Sequence, residues 1–223
     1  MKPWEVLGRT AAPDGTALTL LRHPSEYVIQ ANGENLMTSR EFSSEKELGV
    51  LGCARARTLA TPHVLIGGLG MGFTLRAVLD VLPAAAHVVV AELVPAVVEW
   101  NRTILGDLAG HPLNDPRVRI ETADVTSVLR ANTAGFDAVL LDVDNGPAAL
   151  TVSSNASLYD GRGVTVTRDA LRPGGILALW SARNDRRYER RLRETGFTVR
   201  REQVRGHANR GSRFTVVIAT KPG

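Results

Sequence analysis

The sequence predicts an α/β protein built on a mostly parallel sheet. From His63 onward, short apolar runs alternate with segments whose apolar residues recur at helical spacing. These runs are apolar along nearly their whole length, which is typical of parallel strands covered by helices on both faces. A glycine cluster, Gly67 to Gly72, follows the first run and precedes a helical segment. Together these observations favour an open sheet with a ligand site at the carboxyl ends of its strands.

The amino-acid composition indicates the broad class of protein. The chain has 223 residues and 43% hydrophobic content, which suits one domain with an appendage. It has no run of 18 apolar residues and no apolar signal core near its first residue, so we expect a cytoplasmic protein without a membrane segment. Cys53 is the only cysteine, and the five histidines lack metal-ligand spacing, so we expect no metal.

Residues 4–39 are predicted to form a small antiparallel β unit. Their β-prone segments TALTLLRH and EYVIQA are bounded by the turn dipeptides Asp14-Gly15 and Asn32-Gly33. We place the boundary of this unit at residues 1–42, and the main domain at residues 43–223.

A helix is predicted to lead into the main domain. In FSSEKELGVLGCARARTLA, apolar residues recur at helical spacing, and Ser44 and Glu47 have the spacing of a capping box. Pro62 is expected to end this segment.

The stretch HVLIGGLGMGFTLRAVLD, from His63 to Asp80, reads as a strand, a glycine turn and a helix. Glycines at 68, 70 and 72 permit backbone angles and a close ligand approach that side chains prevent. Glu92 lies 20 positions beyond Gly72, at the end of the next strand. This combination predicts a nucleotide or nucleoside site.

The remaining segments continue the alternation. Predicted strands are HVVVAE, RVRIETAD, FDAVLLDVD and GGILALWS, and predicted helices are VPAVVEWNRTIL, VTSVLRAN, GVTVTRDALR and RRYERRLRETG. FTVRREQV and SRFTVVIAT are predicted to pair as a terminal hairpin, which would add an antiparallel edge. The irregular stretch from Asn145 to Gly161 is a candidate lid.

Three carboxylates are predicted to meet at one edge of the sheet. Glu92, Asp124 and Asp142 each lie at or just after the end of a successive strand. The first can accept two hydrogen bonds from a ribose diol, and the second can accept one from an adenine amino group. Asp142 would then lie nearest the reacting end of the ligand.

These segments also carry a family resemblance. VLIGGLGMGFTLRAVLD, VVVAELVPAVVEWNR, DPRVRIETADV, FDAVLLDVDNGPAAL and LRPGGILALWSA resemble the successive motifs of the spermidine synthase (aminopropyltransferase) family. That family is a branch of the Rossmann-like class I S-adenosylmethionine-dependent methyltransferase fold. The resemblance covers roughly residues 60–182, and ANGENLMTSREFSSE stands where the family has its substrate-entry motif.

The resemblance implies a donor, an acceptor and a role for each matched residue. Gly68, Gly70 and Gly72 would pass under the nucleoside of S-adenosylmethionine or its decarboxylated form. Glu92 would hold the ribose, Asp124 the adenine, and Asp142 would orient and deprotonate an amine acceptor. The resemblance also implies a homodimer formed through the β unit.

The chain departs from the family pattern at several positions. Met71 stands where the family has an aspartate that pairs with the donor's ammonium group, and Leu36 replaces a glutamine. Ser43 to Glu45 represent a tyrosine-histidine-glutamate run, while Val143, Asp144 and Asn145 replace a serine or threonine pair and an aspartate. We therefore take Asp144 or Asn145 as partners of Asp142, and Tyr159 as a candidate lining of the acceptor pocket.

Four functions remain open from the sequence. The first is a transferase that moves aminopropyl or a related alkyl group to an amine. The second is a methyltransferase that acts on a small molecule. The third is a non-catalytic nucleoside-binding module, and the fourth is a dinucleotide oxidoreductase, although GLGMG lacks the third glycine at the dinucleotide spacing.

The C-terminal part of the chain is rich in arginine. Eleven arginines lie between Arg183 and Arg213, against Asp185, Glu189, Glu194 and Glu202. Such a segment can contact RNA phosphates or an acidic partner. No aromatic platform interleaves with these arginines, which favours a solvated surface over a nucleic-acid site.

Overall fold

The computed structural model describes residues 3–143, 156–182, 184–207 and 210–223. The predicted partners Asp144 and Asn145 lie outside the described residues. The described residues form two sheets, one of four strands and one of seven.

The first sheet is the predicted antiparallel β unit. Its strands pair in sequence order and are β1 (Glu5–Ala11), β2 (Ala17–His23), β3 (Glu26–Ala31) and β4 (Glu34–Thr38). At the turn between β3 and β4, Asn32 and Gly33 have φ angles of 50° and 86°, which is the left-handed pair that a type I′ hairpin turn requires.

The second sheet is mostly parallel, as predicted. Its strands are β5 (His63–Gly67), β6 (His87–Ala91), β7 (Val118–Glu121), β8 (Phe136–Leu141), β9 (Leu171–Ser181), β10 (Thr198–His207) and β11 (Arg210–Thr220). They lie in the order β10-β11-β9-β8-β5-β6-β7. Strands β5 to β9 run parallel, while β11 pairs antiparallel with both β9 and β10. The predicted terminal hairpin is therefore confirmed. Its second strand, β11, is the one that pairs with the parallel sheet.

In the described part of the chain, seven helices connect these strands. They are α1 (Ser43–Gly52), α2 (Phe73–Val81), α3 (Pro95–Thr103), α4 (Val125–Ala131), α5 (Ala156–Tyr159), α6 (Gly161–Ala170) and α7 (Arg186–Glu194). Short 3-10 turns occupy Ala56–Thr58, Gly106–Ala109 and Pro112–Asn114. Helix α5 lies near the end of the stretch from Asn145 to Gly161 that is the predicted lid, and residues 145–155 of that stretch lie outside the described residues.

Helix α1 differs from its prediction. It ends at Gly52, well before Pro62, and its N-cap is Phe42 without a side-chain hydrogen bond. The predicted capping box is wrong, because the Ser44 hydroxyl donates to the side chain of Glu45 rather than capping the backbone. Ser44 and Glu45 are both buried, so this end of α1 faces the interior of the protein.

The core covers both faces of the second sheet. Val64 and Ile66 of β5 belong to one buried cluster, while Leu65 between them belongs to the other. All three side chains are fully buried. Alternate residues thus pack on opposite faces, which explains why the strand is apolar along its whole length. Within the described ranges, no helix is long and apolar enough to cross a membrane.

Candidate functional site

A cavity of about 420 Å³ opens at the carboxyl ends of the parallel strands. It lies where the sheet edge meets the N-terminal β unit, and both contribute to its walls. Its polar and turn residues are Asn35, Thr38, Glu41, Ser44, Glu45, Gly68, Gly70, Glu92, Asp124 and Asp142. Its apolar walls include Ala12, Leu18, Ile29, Leu36, Met37, Val97, Trp180 and Phe214.

The glycine turn forms part of the cavity wall, and Gly68 shows why glycine is needed. Its φ angle is 88°, and a Cβ atom there would lie 2.3 Å from the backbone oxygen of Asp142. The Asp142 amide also donates to the Gly67 oxygen over 2.9 Å. The end of β8 is therefore held directly against the turn, which places Asp142 beside it.

Asn101 of α3 fixes the next part of the turn, and the sequence reasoning missed it. Its Nδ2 donates to the Gly70 oxygen over 2.8 Å and to the Val97 oxygen over 2.9 Å. Asn101 is only 1% exposed, so these bonds are shielded from water. A buried asparagine one helix away thus holds the loop shape that approaches the ligand.

Met71 does not face the cavity. Its side chain is fully buried and belongs to the core cluster of the α1 and α2 face. Met71, which stands within the glycine turn where the resemblance places donor binding, thus packs inward and is not among the described residues that line the cavity. Met37 of β4 instead lies against the turn, and its sulfur would be 2.9 Å from a Cβ atom on Gly70.

Glu92 follows β6 and is held firmly by the backbone. Its Oε2 accepts from the Leu69 amide over 2.9 Å, and its Oε1 accepts from the Val94 amide over 2.8 Å. Burial raises the pKa of this carboxyl, while these amides oppose that rise. The side chain is oriented by two fixed donors and still lines the cavity, so each oxygen keeps a lone pair for a ligand hydroxyl.

Asp124 lies after β7, where the prediction put it, and it serves as the N-cap of α4. Its Oδ1 accepts from the Thr126 amide over 2.6 Å. The residue also lines the cavity, together with its neighbours Ala123 and Val125. One carboxylate oxygen is used by the cap, and the other remains available to a donor group such as an exocyclic amine.

Asp142 comes directly after β8 and is tied to α2. Its Oδ2 accepts a hydrogen bond from the Thr74 hydroxyl over 2.7 Å. Burial raises the pKa of Asp142, and the Thr74 hydroxyl opposes that rise. Thr74 was not predicted as a site residue, although it belongs to the TLR segment that carries the family resemblance.

Glu45 was not predicted as a site residue, although it stands at the glutamate of the family's tyrosine-histidine-glutamate run. It lies in the first turn of α1, lines the cavity and is 8% exposed. Burial first, and the charge of Asp142 second, raise the pKa of this carboxyl to about 7, while the Ser44 hydroxyl opposes the rise. Two carboxylates from distant parts of the chain thus share one end of the cavity.

The charged side chains that line the described cavity wall are all acidic. Its wall carries five carboxylates, from Glu41, Glu45, Glu92, Asp124 and Asp142, and no lysine, arginine or histidine from the described residues. A cavity of this kind favours cationic ligands and disfavours phosphates. This argues against a dinucleotide, because the carboxylates of the described wall would repel its pyrophosphate.

Tyr159 lies in the core and not in the described cavity wall. It is 4% exposed in the second core cluster, and its ring meets the ring of Tyr188 edge-on with centroids 5.7 Å apart. Tyr159, the residue predicted to line the acceptor pocket, is not one of the described residues that line the cavity. Trp180 does line the cavity and packs against Phe214, with centroids 4.8 Å apart.

Some arginines of the arginine-rich segment form ion pairs within it. Buried Glu189 of α7 lies within 3.1 Å of Arg193 and 3.4 Å of Arg201, and Arg200 pairs with Glu202. These pairs fit a solvated surface that supports its own fold. In the part of the chain that the structure describes, no group of three or more His, Cys, Asp or Glu residues has the arrangement of a metal site.

The chain is similar to known proteins of one family. Residues 50–193 match the family model described as the spermine/spermidine synthase domain. The polyamine aminopropyltransferase of Mycobacterium tuberculosis is 34% identical over 119 residues, which cover 52% of this chain and 22% of that protein. Polyamine aminopropyltransferase 1 of Streptomyces coelicolor is 36% identical over 127 residues, which cover 55% of this chain and 23% of that protein. The match thus spans less than a quarter of these curated relatives.

Two solved structures share the fold over nearly the whole chain. Spermidine synthase from Thermotoga maritima has a TM-score of 0.75 and 21% identity, and the match covers 97% of this chain and 72% of that one. A spermidine synthase in complex with the transition-state analogue AdoDATO has a TM-score of 0.73 and 20% identity, with the same coverage. At these identities the likeness shows the class I methyltransferase-like architecture.

Proposed function

The chain belongs to the spermine/spermidine synthase family, and on that premise we propose that it transfers an aminopropyl or related alkyl group from a sulfonium nucleoside to an amine. The observation that carries the proposal is the acidic cavity, whose five carboxylates face no basic side chain of the described wall. Both substrates of such a reaction are cations. The cavity therefore suits the donor and the acceptor together.

The donor nucleoside is assigned to the glycine-turn end. Gly68 and Gly70 bring bare backbone to the cavity, Glu92 would accept hydrogen bonds from a ribose diol, and Asp124 would accept one from the adenine amino group. This orientation would leave the sulfonium near Asp142. The carboxylate would then stabilise the positive sulfur electrostatically and hold the acceptor in line with the C–S bond.

The chemistry is a direct displacement. An alkylammonium has a pKa near ~10 and must lose a proton before its nitrogen can attack. Asp142, fixed by Thr74, is the group assigned to this deprotonation. The neutral amine then forms a bond to the carbon attached to sulfur, and sulfur leaves as a neutral thioether with the electron pair. The product is a substituted ammonium.

Recognition of the donor's aminopropyl ammonium group would distinguish aminopropyl transfer from methyl transfer. Met71 is buried in the core, and Met37 lies against Gly70, so the described turn offers no acidic partner for an aminopropyl ammonium. This observation keeps S-adenosylmethionine-dependent methyl transfer as a second candidate. Calorimetry with S-adenosylmethionine and its decarboxylated form separates the two functions. Tighter binding of the decarboxylated donor, with transfer to 1,4-diaminobutane, supports the first function, and transfer of methyl alone rejects it.

We further propose a homodimer formed through the N-terminal β unit, with a polyamine as acceptor. Strand β1 is the edge of its sheet, and Trp4 and Val6 beside it are 47% and 45% exposed. Large apolar side chains at a sheet edge are typical of an interface. Sedimentation of wild-type protein and a Trp4→Glu variant tests this proposal, and an unchanged monomer in both would reject it.

A further inference from the structure

Glu45 has no role in the reaction described so far, yet it is buried in the wall of the cavity. Its side chain is 8% exposed, and the partner shown for it is the hydroxyl of Ser44. In the described part of the chain, no lysine, arginine or histidine pairs with it. A buried carboxylate without a cation lowers the stability of a fold, so its retention points to a ligand that supplies the positive charge.

Glu45 also lies close to Asp142, with Thr74 between their segments. The Thr74 hydroxyl donates to Asp142 Oδ2 over 2.7 Å and lies 3.4 Å from the backbone oxygen of Glu45. The first turn of α1 is thus packed on the first turn of α2 at the point where β8 ends. Because both acids line one cavity and the charge of Asp142 raises the pKa of Glu45, the two resist ionising together, so the pair tends to retain one proton.

We propose that Glu45 is the second carboxylate of the acceptor site and shares with Asp142 the proton that the attacking ammonium gives up. This inference rests on the proposed function and adds a residue to it. The ammonium N–H bond breaks and its proton passes to the carboxylate pair, leaving the nitrogen lone pair free. That lone pair forms the new C–N bond as the C–S electrons leave with sulfur. The pair then releases its proton to solvent.

The surroundings of Glu45 fit this role. Asp142 and Glu41 are the groups whose charges raise the pKa of Glu45, and the neighbouring wall residues Trp180 of β9 and Phe214 of β11 carry no charge. A carboxyl with a pKa of about 7 is a stronger base than an ordinary aspartate and is still mostly ionised at pH 8. An acceptor cation is expected to lower that pKa and expel the shared proton.

Proton release on acceptor binding tests the proposal. The protein, saturated with methylthioadenosine, is titrated with 1,4-diaminobutane in buffers of different ionisation enthalpy at pH 7 and pH 8.5. Since a carboxyl with a pKa of about 7 is half protonated at pH 7, we expect release of up to about half a proton there and almost none at pH 8.5. Glu45→Gln should abolish the release and weaken diamine binding at least about tenfold.

Two further variants make the result interpretable. Glu45→Asp keeps a carboxylate and should retain proton release, whereas Glu47→Gln on the exposed face of α1 should behave as wild type. Unchanged release in Glu45→Gln, with diamine still bound, overturns this proposal while leaving the proposed function intact. Absence of diamine binding to the wild-type protein overturns both.

Discussion

Replacing Glu45 by glutamine is expected to stabilise the folded protein above neutral pH. The pKa of Glu45 rises from its ordinary value of 4.5 to about 7 in the folded protein, first through burial and then through the charge of Asp142. At about 1.4 kcal/mol for each tenfold change in acidity, ionising this carboxyl costs the folded protein about 3 kcal/mol. Glutamine has nearly the same shape and removes that cost.

The pH dependence follows from the direction of the pKa change. Between pH 4.5 and about 7 the folded state binds more protons than the unfolded state, so the stability of the wild-type protein falls as the pH rises through this window. Below pH 4.5 the carboxyl is protonated in both states. The stabilisation by Glu45→Gln should therefore be near zero at pH 4 and reach about 2 to 3 kcal/mol at pH 8.

This difference can be measured by urea unfolding at pH 4, 6 and 8. The proteins compared are the wild type, Glu45→Gln and the exposed control Glu47→Gln. The gain should appear only in Glu45→Gln and should grow with pH. A Glu45→Gln protein that is less stable than wild type at pH 8, or a gain that does not change with pH, would refute the reasoning about the buried acid pair.

Three further variants probe the donor and the reacting end. Asp142→Asn should lower kcat/KM for alkyl transfer to 1,4-diaminobutane about 10² to 10⁴-fold in initial-rate assays, and near wild-type activity would remove it as the proton acceptor. Glu92→Gln should weaken methylthioadenosine binding about tenfold, as measured by calorimetry, because one carboxylate oxygen becomes an NH₂ donor. Equal affinity of the two proteins would exclude the assignment of Glu92 to the ribose. Gly68→Ala should lower the free energy of unfolding in urea by more than about 2 kcal/mol. The new Cβ atom would lie 2.3 Å from the backbone oxygen of Asp142, and residue 68 has a φ of 88°. Unchanged stability would contradict the described turn.

The features that the sequence predicts correctly are local or repeat along the chain. The glycine turn, the apolar strands and the carboxylates after them can be read from neighbouring residues, because parallel strands bring their carboxyl ends to the same edge. Glu92, Asp124 and Asp142 were found in this way, and all three line one cavity.

The features that it does not predict depend on contacts between distant segments. Glu45 meets the Asp142 region only because α1 packs on α2, and the local pattern around it suggested a helix cap at Ser44 instead. Met71 lies within the glycine turn, yet its orientation is decided by the apolar core beneath it. Asn101 contacts Gly70 across the fold, and no spacing in the sequence signals that bond.

A crystal structure of the protein with methylthioadenosine bound tests the central claim most directly. The account predicts that the ribose diol bonds to Glu92, that the adenine amino group lies beside Asp124, and that the thioether sulfur points toward Asp142 and Glu45. A nucleoside bound outside this cavity, or one whose sulfur points away from both acids, would contradict it.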